Sequence, residues 1–436
     1  MPYPSSSSSG SDAGPYGKLL SPPRIARHNV ILAGLRRSGK SSILKVVYEQ
    51  LSPSDTLFLE SHSTGVKGRW TTFHVDCFLP LRIWDGPGPL IGEGPGARGR
   101  GAVLRDMPAD QDEAASRKDF EAEAESTAAE VKEGKLRWRD VSTVIFVIDA
   151  QDDYFDCVAR LHELILKSFA INPFIEYHVF VHKVDGLSDD YKFDTQRDVE
   201  QRLLDDLADA SGSFAFVPGA AEEMAKAAQR GHQVGPQSFG LEGVSNSREI
   251  FPLESSVKLH FHLTSIFDNS VFVALSKVQQ SLMEGALAAS LESACDSICG
   301  SCRFDKAFLM DVPSRTYISS DSTPFEPTLF DMVCEYVNFL LLFSDVYSDL
   351  QPPASSSPAT TTASSNEGQA KQGKWASSVC KLNPDISVCF WQVDNRLALI
   401  AIIKSDLQAR NAGLIDYNVS FFRRAIIQIA QVARSA

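Results

Sequence analysis

Residues 34–41 read GLRRSGKS, with Gly34 and Gly39 bracketing a short loop that runs into Lys40 and Ser41. The chemistry this spacing suits is phosphate binding. The two glycines let the chain curl so that backbone N–H groups and the start of the following helix face anionic oxygens. Lys40 is then placed to reach the terminal phosphates of a nucleotide, and Ser41 to offer its hydroxyl to Mg²⁺, which keeps most of its waters and takes few protein ligands. The apolar run VILA before the loop and a helical pattern after it supply the strand–loop–helix context that such a motif needs.

Such a loop does not by itself say which nucleotide is bound, and later segments address that question. Asp85-Gly86-Pro87-Gly88 closes an apolar run in the form D-x-x-G. There a carboxylate can hold a Mg²⁺-bound water and the Gly88 N–H can sense a γ-phosphate, although an ordinary turn after a strand competes with this reading. His182-Lys183-Val184-Asp185 is similar to the N-K-x-D element of GTPases with His in place of Asn. Asp185 can accept hydrogen bonds from the N1–H and exocyclic amine of guanine, donors that adenine does not present, while Lys183 lays its methylenes along the base. Thr264, Ser265 and Ile266 end a further apolar run, where GTPases carry a loop whose backbone N–H meets the guanine O6 atom. All of these segments fall at the ends of successive strand-like runs, where open α/β sheets bind ligands.

The elements that must position these residues alternate from Asn29 onward. Apolar runs at 30–33, 81–84, 143–148, 178–181 and 258–263 read as strands, and 39–50, 153–169, 194–209 and 269–284 as helices. This predicts a mostly parallel sheet. Residues 1–26 are rich in Ser, Pro and Gly and read as a disordered tail; 88–134 and 211–254 read as surface insertions in a domain over 27–285. Beyond it, strands at 307–311, 316–319, 376–382, 386–392 and 396–403 with helices at 327–347 and 413–433 predict an α+β layer over 286–436, with a flexible loop at 351–373.

Composition narrows the class. A chain of 436 residues, 43% hydrophobic, is long enough for two cores. Its net charge of −13 argues against nucleic-acid partners, which demand Lys and Arg at phosphates. Eight cysteines without a secretory leader suit a reducing, cytoplasmic compartment. No apolar stretch approaches the roughly 20 residues of a bilayer span and no lipidation box is present, so any residence on a membrane is left to partners.

The segments GLRRSGKSS, LSPSDTLFLES, VIDAQDDY, HKVDGLSDD, TQRD and LIDYN resemble the Rag/Gtr GTPases, on the RagC/RagD side. The resemblance implies a Ras-like P-loop G domain followed by a roadblock-type dimerisation domain, GTP or GDP with Mg²⁺, and GTPase activity. It also implies a heterodimer with a RagA/B-type GTPase that signals amino-acid sufficiency to TORC1, in this branch usually when loaded with GDP. A TORC1 subunit and a membrane scaffold complex of the Ragulator/EGO type are the other implied partners, at the lysosomal or vacuolar surface. Carried over by position, Arg37, Ser38, Gly39, Lys40, Ser41 and Ser42 match the phosphate loop, Ser41 and Asp85 the Mg²⁺ ligands, Gly88 the start of switch II, and His182, Lys183, Asp185, Thr264, Ser265 and Ile266 the guanine site.

The sequence departs from the family in two places. Pro89 stands where the water-positioning Gln belongs, and proline has no amide to orient a nucleophile; His62 stands at the switch I threonine register, with Thr64 nearby. Slow intrinsic hydrolysis follows, and the alternative to a turning-over switch is a subunit that holds nucleotide as a scaffold. An ATPase or kinase reading requires Asp185 to be incidental. Cys295, Cys299 and Cys302 lack a fourth ligand for zinc and read as separate thiols at a helix end, and the acidic run at 121–126 as solvated surface. In the last helix Leu414, Tyr417, Phe421, Ile426 and Ile429 read as the face that covers its own sheet, leaving another helix for a dimer.

Overall fold

The structure, a computed structural model, describes residues 27–59, 71–85, 136, 138–216, 220, 252–348 and 376–435. The segment 1–26, the interior of both insertions, the 351–373 loop, His62, Thr64, Gly88 and Pro89 lie outside the described residues.

The first half is a six-stranded sheet built from β1 (His28–Gly34), β2 (Thr71–Val75), β3 (Leu81–Asp85), β4 (Val141–Asp149), β5 (Glu176–His182) and β6 (Lys258–Thr264), in the order β2-β3-β1-β4-β5-β6. All pairings are parallel except β2 against β3. The central strands are buried on both faces, which is why β4 reads VSTVIFVID with almost no alternation. Side chains still point alternately. Val30 and Leu32 face a layer formed by α1 (Lys40–Tyr48) and α4 (Ser270–Ser281), while Ile31 and Ala33 face α2 (Phe155–Ile171) and α3 (Asp189–Ala210). Strand β2 has no counterpart in the sequence reading because TTFHV is an edge strand, exposed along most of its length and without an apolar run.

A second sheet, entirely antiparallel, follows in the order β8-β7-β11-β10-β9, with β7 Lys306–Asp311, β8 Thr316–Ser320, β9 Ser377–Lys381, β10 Ile386–Gln392 and β11 Leu397–Lys404. Helices α5 (Gly285–Cys302) and α7 (Ser405–Ser435) cover one face through Leu291, Cys295, Val419 and Ile426, and α6 (Pro327–Ser348) covers the other through Phe330, Val333 and Val337. The sequence reading put the cysteines at a helix end but gave α5 no bounds, because GALAASLESACDSICGSC has many small residues and little amphipathic contrast. Its three cysteines are free thiols on a helix packed into the core, and burial pushes the Cys295 thiol up to about 12.

Three further expectations change. The two ends of the 211–254 insertion are part of the core: Phe214 and Phe216 pack on Phe169, and Ser211 Oγ accepts the N–H of buried Leu253 at 3.1 Å. The last helix begins at Ser405 rather than at 413. On that helix, Leu414 (56% exposed), Tyr417 (60%) and Phe421 (49%) face away from the sheet. Ile415, Val419, Phe422 and Ile426 are the buried stripe, set about 100° round the helix from the first. Two apolar stripes share α7, and the sheet takes only one.

Helix α4 serves both halves. Its Ser276 Oγ accepts the Tyr317 N–H at 2.8 Å, Thr316 Oγ1 donates to Gln279 Oε1 at 3.3 Å, and the Arg315 guanidinium lies 4.2 Å from the Phe272 ring centre. One apolar cluster therefore runs from Val30 and Ile43 through Val278 to Phe308 and Phe330. Among the described residues no helix is long and apolar enough to cross a membrane.

Candidate functional site

At the C-terminal edge of the parallel sheet, β1 ends in Gly34 at φ +140°, where an added Cβ would lie 2.3 Å from the Val147 carbonyl oxygen. Only glycine allows the loop to leave the strand this close to β4. The loop turns through Arg37 at φ 64° and Gly39 at φ +99°, which caps α1. A Cβ on Gly39 would lie 2.5 Å from the His182 ring, so the second glycine is required by a segment far away in the chain. Ser38 is buried, Ser42 half-buried, and Arg37 and Ser41 are exposed.

Lys40 folds back over this loop, donating to the carbonyls of Gly34 at 2.8 Å and Leu35 at 2.7 Å. Burial lowers its pKa to about 8, against the opposing pull of Asp85. A phosphate arriving over the loop would exchange these carbonyls for charge-assisted bonds. Ser41 Oγ donates to Asp85 Oδ2 at 3.3 Å, and burial raises the Asp85 pKa while Lys40 and Ser41 pull it down. A hydroxyl and a carboxylate side by side at a phosphate loop fit the hard oxygen donors that Mg²⁺ takes.

The segments expected to read the base meet on the neighbouring strands. Lys183 adopts φ 63°, a left-handed conformation costly for a residue with a side chain. It is held there by bonds from its Nζ to Asp149 Oδ2 and, at 2.7 Å, to the Arg37 carbonyl, which ties this segment to the phosphate loop. Asp185 is exposed, and its Oδ1 accepts the Ser265 hydroxyl at 2.6 Å. The Ser265 N–H donates to Ser270 Oγ at 2.8 Å at the start of α4, and Ile266 follows, half-buried. His182 and Thr264 are buried and bond each other at 3.0 Å, register partners across β5 and β6. Burial lowers the His182 pKa to about 4, so the imidazole is neutral and packs against Gly39 as a strut between loops.

The fold thus brings Arg37 to Ser42, Asp85, His182 to Asp185 and Thr264 to Ile266 to one edge. It also brings residues that the sequence reading did not single out as site residues. Asp149 ends β4 and pairs with Lys183, and Gln151 Nε2 donates to the Lys183 carbonyl at 2.8 Å. The signal was present in VIDAQDDY, a carboxylate closing a buried strand in the same manner as Asp85.

Known proteins share this arrangement of sequence. The Gtr1/RagA G protein conserved region matches residues 29–90, 124–219 and 241–337. GTP-binding protein gtr2 of Schizosaccharomyces pombe is 34% identical over 403 residues, 92% of this chain and 97% of that protein. Ras-related GTP-binding protein C of Homo sapiens is 33% identical over 418 residues, 96% of this chain and 79% of that protein. GTP-binding protein GTR2 of Saccharomyces cerevisiae is 28% identical over 409 residues, 93% of this chain and 94% of that protein. Among solved structures, Myxococcus xanthus MglB covers 35% of this chain at 13% identity with a TM-score of 0.25, too slight a likeness to carry weight. The family match and the identity to these relatives make the chain a member of the Gtr1/RagA family, a Rag-type GTP-binding protein and GTPase of the RagC/RagD-like branch, whose parallel-sheet G domain is followed by an α+β domain on an antiparallel sheet.

Proposed function

We propose that this chain is the RagC/RagD-type half of a heterodimeric Rag GTPase, whose bound guanine nucleotide is read by partners that report amino-acid sufficiency to TORC1. The observation that carries the reading is the meeting of Lys40, the Ser41–Asp85 pair and the Lys183–Asp149 pair with Asp185 at one sheet edge. Arg37 to Ser42 line the phosphates, with Lys40 giving up its carbonyl contacts to bind them. Ser41 and Asp85 would hold Mg²⁺, which when bound neutralises phosphate charge. Asp185, steadied by Ser265, accepts the guanine donors, Lys183 lies along the base, and the Ile266 N–H faces O6. Gly88 belongs to the γ-phosphate sensor. Intrinsic hydrolysis is slow because Pro89 replaces the water-positioning Gln.

The RagA/B-type partner docks on the second domain. Support comes from α6, where Phe339, Leu342 and Phe343 stand exposed on one stripe, with the two phenyl rings stacked at 5.6 Å. A contiguous apolar stripe of this kind is costly to leave in water. Recruitment to the lysosomal or vacuolar surface then falls to a scaffold of the Ragulator/EGO type. The test is co-expression with a RagA-type protein, followed by extraction of bound nucleotide. A one-to-one dimer carrying GDP or GTP is expected. A monomer, or a dimer holding adenine nucleotide, overturns the proposal.

A further inference from the structure

At the opposite end of β5 and β6 from the guanine-type reader, Glu176 and His178 on β5 and His260 on β6 bring one ligating atom each to within 4.8 Å of one another. His178 and His260 are register partners, their rings stacked with centres 4.8 Å apart. His262, two residues on along β6, also stacks on His178, its Nε2 3.1 Å from His178 Nδ1. We propose that this cluster is a binding site for a borderline divalent transition metal of the Zn²⁺ type, separate from the Mg²⁺ expected at the phosphate loop.

The hydrogen bonds assign the donor atoms. Ser281 Oγ donates to the Val278 carbonyl at 2.9 Å, so toward the 3.1 Å contact with His178 Nε2 it acts as acceptor. His178 Nε2 therefore carries the proton, and Nδ1 accepts from His262 Nε2–H at 3.1 Å, a bond that an ion arriving at Nδ1 would replace. A ring nitrogen fixed by an outer hydrogen bond while the other faces a cation is how metal-binding histidines are oriented. Glu176 divides its carboxylate in the same sense. Oε1 accepts from Lys258 Nζ at 2.7 Å, which leaves Oε2, 3.9 Å from His260 Nε2, turned to the cluster.

The imidazole-rich set favours Zn²⁺ and its neighbours over Mg²⁺, which demands oxygen. Metal–nitrogen bonds of about 2 Å require the donors to close in, and His260 can supply that movement because it is half-exposed on an edge strand. A bound ion would clamp edge strand β6 to β5, roughly 13 Å along the strands from His182 and Thr264.

The test uses the full-length chain, stripped with a chelator and titrated with Zn²⁺ against a chromogenic competitor, with a Co²⁺ titration to read coordination from its visible spectrum. One equivalent bound with a nitrogen-rich spectrum is expected, together with a Zn²⁺-dependent rise in thermal midpoint. His260→Ala sits on the exposed side of an edge strand and should leave the circular dichroism spectrum unchanged while weakening Zn²⁺ by at least about tenfold. Glu176→Gln should do the same and, like His260→Ala, lose the rise in midpoint. Absence of Zn²⁺ binding in the wild type overturns the proposal, as does binding of equal strength in both variants, which would place the ion elsewhere.

Discussion

At the edge of the parallel sheet the left-handed backbones of Gly34, Arg37, Gly39 and Lys183 crowd together, and charged groups end at the surface: Asp85, Lys183 and Asp185. In the antiparallel sheet polar groups close on one another instead. Lys306 bonds the Thr323 carbonyl at 2.7 Å and pairs with Asp321; Arg396 grips Asp311, which also accepts from Ser314; Ser387 meets Ser405 at 2.8 Å. Its left-handed residues, Arg303 and Arg315, only cap α5 and turn the β7–β8 hairpin. Left-handed backbone gathered beside paired charges at a sheet edge suits the binding of a small anionic ligand. Polar pairs closed on one another inside, with Phe339, Leu342 and Phe343 left outside, suit a surface that meets a protein.

That contrast is broken or sharpened by substitutions on either side. The largest effect is expected at Asp185→Asn, which loses acceptor bonds to guanine together worth about 4 kcal/mol, or roughly 10³-fold in GDP affinity, while xanthosine nucleotides gain. Unchanged GDP binding would put the base elsewhere. Next comes Phe339→Asp, expected to weaken the heterodimer by about 100-fold in sedimentation or pull-down titration and to leave nucleotide affinity within about twofold. A matching loss of nucleotide would mean that α4, shared by both cores, couples the two regions more strongly than the contrast allows.

The smallest effect concerns acid. His182 has its folded pKa depressed by burial to about 4, so below its unfolded value near 6.5 the unfolded chain binds the extra proton. Stability is therefore full above that value and declines as pH falls toward about 4, with His178 and His262 adding in the same direction. Comparing denaturant midpoints across that window, His182→Asn should lose about 2 kcal/mol less than wild type on going from about pH 7 to about pH 5. Parallel curves for the two proteins would show that the strut is not what titrates.

Much of the candidate site was legible because its residues fall in short spacings at strand ends. The Gly34, Gly39, Lys40 and Ser41 loop and the Asp185 carboxylate each sit directly after an apolar strand, and local order is enough to announce them. The six-stranded alternation was legible for the same reason, except at β2, whose stability comes from pairing with β3 rather than from its own apolar pattern. The extent of α5 was not legible because small residues blur its periodicity, and only contact with α7 and the sheet defines its buried face.

What the sequence by itself determined is the chemistry of each strand end and the family to which that order belongs. What only the tertiary structure decided is who stands beside whom. Asp149 meets Lys183, His182 rests on Gly39, α7 turns Tyr417 outward, and His178 faces His260. These pairs are set by strand register and helix rotation, quantities fixed by the packing of the whole core and carried by no single stretch of chain.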